Sequence, residues 1–178
     1  MTLSRKEFLR RGVMSVGELL LKPLDVPREL PASPAMLRPP GFVGEGPQGC
    51  GECRACMDVC PERVLTAGEG GVPVFSPSRG ACTFCLKCIA ACPREVLRHP
   101  YDREVLKLGR AEADNGRCLA QRGGCFSCFE RCPEEALAIE LGTGIRIDGE
   151  RCTGCGACEH VCPLEPGAVR VRPLPGRS

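Results

Sequence analysis

The sequence predicts a small α+β fold, with short helices and β-hairpins arranged around cysteine-held sites in two tandem units. Three observations predict it. Sixteen of the 178 residues are cysteine, a density at which ligation by side chains, and not a large apolar core, organises a chain. The cysteines fall into four groups, three spaced C-x2-C-x2-C-x3-C and one C-x6-C-x2-C-x3-C, each followed at once by proline. Aromatic residues are scarce, with six Phe, one Tyr and no Trp, so ring packing contributes little to a core. No apolar run reaches the roughly 18 residues of a membrane-spanning helix.

The groups are Cys50, Cys53, Cys56 and Cys60; Cys82, Cys85, Cys88 and Cys92; Cys118, Cys125, Cys128 and Cys132; Cys152, Cys155, Cys158 and Cys162. Spacing decides between disulfides, zinc and iron–sulfur clusters. A disulfide framework goes with irregular spacing and a secretory context. Structural zinc prefers paired CxxC knuckles, commonly with histidine, and would strand many of these thiols. Three thiolates set two residues apart instead wrap one tight loop around a cubane, each reaching a different iron. The fourth then reaches the neighbouring cluster, which is the ligand run of bacterial ferredoxins. The fold class is therefore two tandem bacterial 2[4Fe–4S] ferredoxin-like units. Pro61, Pro93, Pro133 and Pro163 each predict a helical turn that starts at the proline, where a missing N–H costs little. Gly51, Gly154 and Gly156 are expected to let the backbone close on the clusters.

Gaps of 21, 25 and 19 residues separate successive groups, and the compact gaps pair the first group with the second and the third with the fourth. Crossing the last cysteine of each group defines four quartets. The first is Cys50, Cys53, Cys56 and Cys92; the second is Cys82, Cys85, Cys88 and Cys60. The third is Cys118, Cys125, Cys128 and Cys162; the fourth is Cys152, Cys155, Cys158 and Cys132. No thiol is left over, so the expected cofactors are four [4Fe–4S] clusters with all sixteen cysteines as metal ligands. The widened opening of the third group, Cys118 to Cys125, allows two arrangements. Either the loop bulges and Cys118 still binds, which is the expectation, or Cys118 is released and that cluster is a labile three-iron form.

Along the chain, residues 1–22 read as an N-terminal amphipathic helix, with Leu9, Val13, Val16 and Leu20 at helical spacing. The same stretch resembles a vestigial twin-arginine export signal. Lys6 replaces the second arginine, Glu18 interrupts the apolar region and no small-residue cleavage site follows. The expectation is a cytoplasmic docking helix, with periplasmic export as the alternative. Residues 23–49 form a linker held extended by Pro23, Pro27, Pro31, Pro34, Pro39 and Pro40. Residues 50–97 and 118–172 are the two units, 98–117 a connector in which Val105, Leu106 and Leu108 add a strand or cover the seam, and 173–178 a tail. Apolar anchors follow each group: Val64 and Leu65, Val96 and Leu97, Ala136 and Leu137, Val169 and Val171. Val72 to Phe75 and Ile145 to Asp148 read as short strands.

Formal charge is +2, from 24 basic and 22 acidic residues. An oxidised [4Fe–4S] core with its four thiolates adds about −2, so four of them bring the loaded protein to about −6. The cluster body is thus anionic, which favours a basic protein surface as partner and disfavours nucleic acid. No phosphate-binding GxxxxGK[ST] loop, dinucleotide GxGxxG or GxSxG nucleophile elbow occurs, and a non-catalytic protein is expected. His160, inside the fourth group, reads as a solvent-facing side chain, with contact to the fourth cluster as the alternative. Tyr101 reads as seam packing.

With these residues in place, the chain resembles NapF-type ferredoxins, accessory proteins of the periplasmic nitrate reductase system. The resemblance spans roughly residues 38–172. It is carried by Arg38-Pro39-Pro40, Cys82-Thr83-Phe84-Cys85, the widened Cys118-Leu119-Ala120 opening, and Cys152-Thr153-Gly154-Cys155-Gly156-Ala157-Cys158. It implies a cytoplasmic electron-transfer or accessory protein that contacts the nitrate reductase catalytic subunit, in maturation or electron supply. The related NapG and MauM polyferredoxins are exported, which supports the periplasmic alternative. An electron-transfer subunit of a larger dehydrogenase complex, soluble or membrane-associated, is the alternative function.

Overall fold

The computed structural model describes residues 36–43, 50–99 and 106–175. Within them the elements run α1 (Ala55–Asp58), β1 (Leu65–Ala67), β2 (Pro73–Phe75), α2 (Lys87–Ala90), β3 (Arg110–Ala113), α3 (Ser127–Arg131), β4 (Leu137–Glu140), β5 (Gly144–Ile147), α4 (Ala157–His160) and β6 (Val169–Arg172). Mixed short helices and strands make this an α+β fold. The N-terminal helix expected over 1–22 lies outside the described residues, as do Tyr101 and most of the linker.

The helices are single turns for a local reason. Each begins two residues after the second cysteine of its group and ends before the fourth. Proline disfavours helical geometry in the residue before it, so no helix runs through a Cys–Pro junction. This corrects the expected proline-started helical turns. After the proline the chain makes a tight turn, with the Arg63 N–H donating to the Cys60 carbonyl at 3.2 Å and the Glu135 N–H to the Cys132 carbonyl at 3.3 Å. Arg63, Glu95 and Glu135 then adopt φ of 53°, 54° and 48°, and Val64, Leu97 and Ala136 follow as buried anchors.

Each half has the same order of parts. A cysteine loop with its helix leads into an antiparallel hairpin, β1–β2 in the first half and β4–β5 in the second. Leu65 faces Phe75 in one register and Leu137 faces Ile147 in the other. A second cysteine loop and helix follow. Pairing between the segment before the first loop and the segment after the last closes each half. In the first half the closure is a single bridge, Phe42 to Leu97. In the second it is the β3–β6 ladder, with Ala111 opposite Val171.

Two boundaries move as a result. Residues 36–43, expected within an extended linker, lie on the body. Leu37 is buried and its carbonyl accepts from the Phe75 N–H at 2.8 Å, while the Arg98 N–H donates to the Gly41 carbonyl at 2.8 Å. The apolar side chains of Leu37 and Phe42 outweigh the extended tendency of the nearby prolines. In the expected connector, β3 is the closing strand of the second half, and Leu108 just before it is buried against the first half with Val171.

The core is divided to match. One cluster gathers Leu37, Met57, Val64, Leu65, Phe75, Leu97 and Leu108; the other gathers Ala111, Ala120, Ala136, Leu137, Ile145 and Val169. No charged or polar residue is buried among the described residues. Phe75, 2% exposed, is the largest of the fully buried side chains. Phe75→Ala should destabilise the loaded protein by about 3–5 kcal/mol, read by denaturant unfolding. Leu141→Ala, at a position 76% exposed, should change stability by less than about 0.5 kcal/mol. Equal losses for the two would refute this assignment of the core.

Candidate metal centres

All sixteen cysteines are free thiols, so the structure contains no disulfide framework. They converge from two groups at a time. Cys50, Cys53 and Cys56 line one cavity with Cys92, which comes from the end of the second group. Cys82, Cys85 and Cys88 line another with Cys60, from the end of the first group. Cys118, Cys125 and Cys128 line a third with Cys162. Cys132 stands close enough to Cys155 and Cys158 to raise both thiols by its charge, as does Cys152. These are called the first, second, third and fourth sites, the last being the Cys132 set. Each fourth cysteine follows its helix and is carried by the Cys–Pro turn towards the neighbouring loop.

The widened opening of the third group is taken up by a 3-10 turn over Leu119–Arg122, ended by Gly123 at φ 71°. That turn absorbs the extra residues and leaves Cys118 on the cavity wall. Two residues that motif reading passed over help place it. The Arg117 guanidinium donates to the Pro166 carbonyl at 2.6 Å, tying the approach to Cys118 to the chain beyond Cys162. The Asn115 side chain accepts from the Ile145 N–H at 2.9 Å and donates to its carbonyl at 3.1 Å. The signal in the sequence is only that both precede Cys118.

The spacing of these thiols suits a cluster and not an ion. A tetrahedral zinc site has Zn–S bonds of about 2.3 Å, so its sulfurs crowd one point. Among the described residues no three His, Cys, Asp or Glu side chains converge in that way. The thiols instead line open-mouthed cavities, four to a cavity at three of the sites. A thiolate-only donor set around a void of that kind fits [4Fe–4S].

Burial is the main influence on the thiols. It pushes Cys82 up to about 12, and Cys56, Cys88 and Cys128 up to about 11, with neighbouring thiolates adding to the rise. Burial also raises Cys50, Cys155 and Cys158. Iron binding requires thiolates, so proton release and metal uptake are coupled. Backbone amides also point at the sulfurs. The Leu97 N–H donates to Cys92 Sγ at 3.5 Å, Ala136 to Cys132 at 3.3 Å, Ala168 to Cys162 at 3.3 Å and Ala111 to Cys152 at 3.4 Å. Hydrogen bonds of this type tune a cluster's potential.

Two of the glycines of these loops are also points of close packing. Gly156, at φ 87°, leaves little room for a Cβ, which would lie 3.0 Å from Phe75 Cζ and from Pro77 Cβ. Gly154, at φ 70°, lies against the Gly109 backbone. Both glycines allow protein to pack on protein. Gly51 is left-handed at φ 47°. His160 is exposed, and its Nδ1 donates to the Ser78 carbonyl at 3.1 Å, so it clips α4 to the other half.

Repeated loops of this spacing, each contributing one cysteine to its neighbour's set, define a ferredoxin-type iron–sulfur protein. A 4Fe–4S dicluster domain matches residues 49–97 and again 123–166. The ferredoxin-type protein NapG of Escherichia coli (strain K12) is 32% identical over 202 residues, covering 96% of this chain and 86% of the relative. The methylamine utilization ferredoxin-type protein MauM of Methylorubrum extorquens is 32% identical, covering 96% and 89%. The ferredoxin-type protein NapF of E. coli (strain K12) is 33% identical over 120 residues, covering 65% and 71%. The chain belongs to this family of ferredoxin-type NapG, MauM and NapF proteins. The NapG and MauM matches run through almost the whole chain, and the NapF match through two thirds of it.

Cys118→Ala should cost about four iron atoms per chain and leave the other three sites loaded. Cys92→Ala should likewise empty the set of Cys50, Cys53 and Cys56 and spare that of Cys60. Iron analysis with Mössbauer spectroscopy of anaerobically purified variants checks both. Retention of the full iron content by Cys118→Ala would show that Cys118 is not a ligand.

Proposed function

We propose that this chain is an electron-transfer or accessory protein that holds four [4Fe–4S] clusters on its sixteen cysteines, in the four crossed quartets. Its two halves act as tandem two-cluster units. The observation that carries this reading is the lining of three separate cavities by four free thiols each, three from one group and one from its neighbour. The reading uses every thiol as a ligand and leaves none as a nucleophile, so the protein is a carrier and not a catalyst. When bound, the clusters supply one-electron oxidation and reduction. The chain's residues position the thiolates, donate N–H groups to them and exclude water from the buried sides.

The partner we infer is a redox protein with a basic surface, facing an anionic cluster body. The widened third group and the Arg38-Pro39-Pro40 approach support service to a molybdenum oxidoreductase such as nitrate reductase. The equal similarity to MauM proteins, named for methylamine utilization, supports a second reading as the electron-transfer component of a dehydrogenase. Lys6 and the lack of a small-residue cleavage site support residence in the cytoplasm. Among the described residues no helix is long and apolar enough to cross a membrane.

Anaerobic purification followed by iron and acid-labile sulfide analysis should find about sixteen of each per chain. A value near eight would refute the four-cluster reading. Stripping the iron with a chelator under reducing conditions should abolish most of the circular dichroism signal, because ligation and folding are one event. A near-native spectrum from metal-free protein would contradict that coupling.

A further inference from the structure

The two halves meet at a specific pair of loops. The Cys82 N–H donates to the Cys155 carbonyl at 2.8 Å. Cys82 lines the second site, and Cys155 belongs to the set of Cys132 and Cys152 at the fourth. Beside this peptide contact, Gly156 presses on Phe75 and Pro77, and Phe75 is part of the wall of the second site. Further along, α4 packs against the 3-10 turn Pro77–Arg79, and His160 reaches the Ser78 carbonyl. This polar part of the junction lies between the chain that leads into the second cysteine group and the fourth cysteine loop, beside the apolar contact of Leu108 and Val171 with the first half.

No backbone hydrogen bond of this kind joins a cysteine of the other two sites across the halves among the described residues; the first site touches the second half only through its wall residue Leu97, which shares a core cluster with Leu108 and Val171. The cavity of the first site is lined only by residues between Cys50 and Leu97. The cavity of the third is lined only by residues between Cys118 and Val169. Within each half, adjacency is set by the helices, since α1 packs on α2 and α3 on α4. Each helix carries the third cysteine of its group to one site and delivers the fourth to the partner site.

We propose that the four sites stand in single file in the order first, second, fourth, third. The halves are joined at the Cys82–Cys155 peptide contact, which makes the chain one conduit with two ends instead of two independent carriers. The inference rests on the four-cluster reading above. A continuous path of bonded atoms supports it. From Cys82 Sγ the path runs through Cβ, Cα and N to the hydrogen bond, then through the Cys155 carbonyl, Cα and Cβ to Sγ. Electrons move singly along such a file. A one-electron redox protein at one end is oxidised as a second, at the other end, is reduced, with no net change in the chain.

The test uses the wild-type, fully loaded chain. Anomalous diffraction at the iron absorption edge locates the cluster centres independently of the protein trace. Four centres are expected, with the second and fourth the nearest pair across the halves and the first and third the farthest apart. Any other inter-half pair as nearest neighbours would overturn the order. Fewer than four centres would overturn the cluster count on which the order rests.

Discussion

The arrangement depends on the Cys–Pro junction that ends each group. The last cysteine follows a one-turn helix, and the proline after it prevents that helix from continuing. The chain must turn there, and the turn directs the cysteine away from its own loop and into the neighbouring set. Cys60 stands with Cys82, Cys85 and Cys88, and Cys92 with Cys50, Cys53 and Cys56. Neither loop of a half is complete without the other. The short helices, the hairpins between the loops and the closing pairs Phe42–Leu97 and β3–β6 all span the distance that this exchange imposes.

Apolar packing fills in around that frame and does not create it. Among the described residues the buried side chains are mostly Ala, Val and Leu, with Phe75 as the one large ring fully enclosed. A chain with so little ring volume closes its halves through backbone proximity instead. Glycine at 154 and 156 lets the fourth loop lie against Gly109, Phe75 and Pro77. Close packing of this kind is sensitive to a single added methyl group, so these positions tie the interface to the geometry of the fourth loop.

Electrostatics reinforces the same dependence. Half-buried thiols such as Cys82, raised to about 12, resist ionisation while they face one another. Iron supplies the positive charge that makes the thiolates favourable, and amides at Leu97, Ala111, Ala136 and Ala168 add directed donors. The folded geometry and the metal are in this sense a single equilibrium.

The cysteine spacing and the prolines were enough to read the number of loops and their iron–sulfur chemistry. These features are local, because a C-x2-C-x2-C run can close on a cubane with no help from distant residues. The strands near Val72 to Phe75 and Ile145 to Asp148 were legible for the same reason, as alternating or apolar runs bounded by turns. The helix positions were misread. Proline is favourable at a helix start and also prohibits helix before it, and only the surrounding chain decides which effect prevails. The docking of Leu37, the β3–β6 closure, the Arg117–Pro166 tie and the contact of Cys82 with Cys155 were not legible. They join residues tens of positions apart, and no local pattern encodes which apolar or polar group will meet which. The sequence alone thus determined what the thiols can bind. Tertiary structure decided which site lies beside which, because that follows from how two small cores and a few glycines pack, and packing is a property of the whole chain.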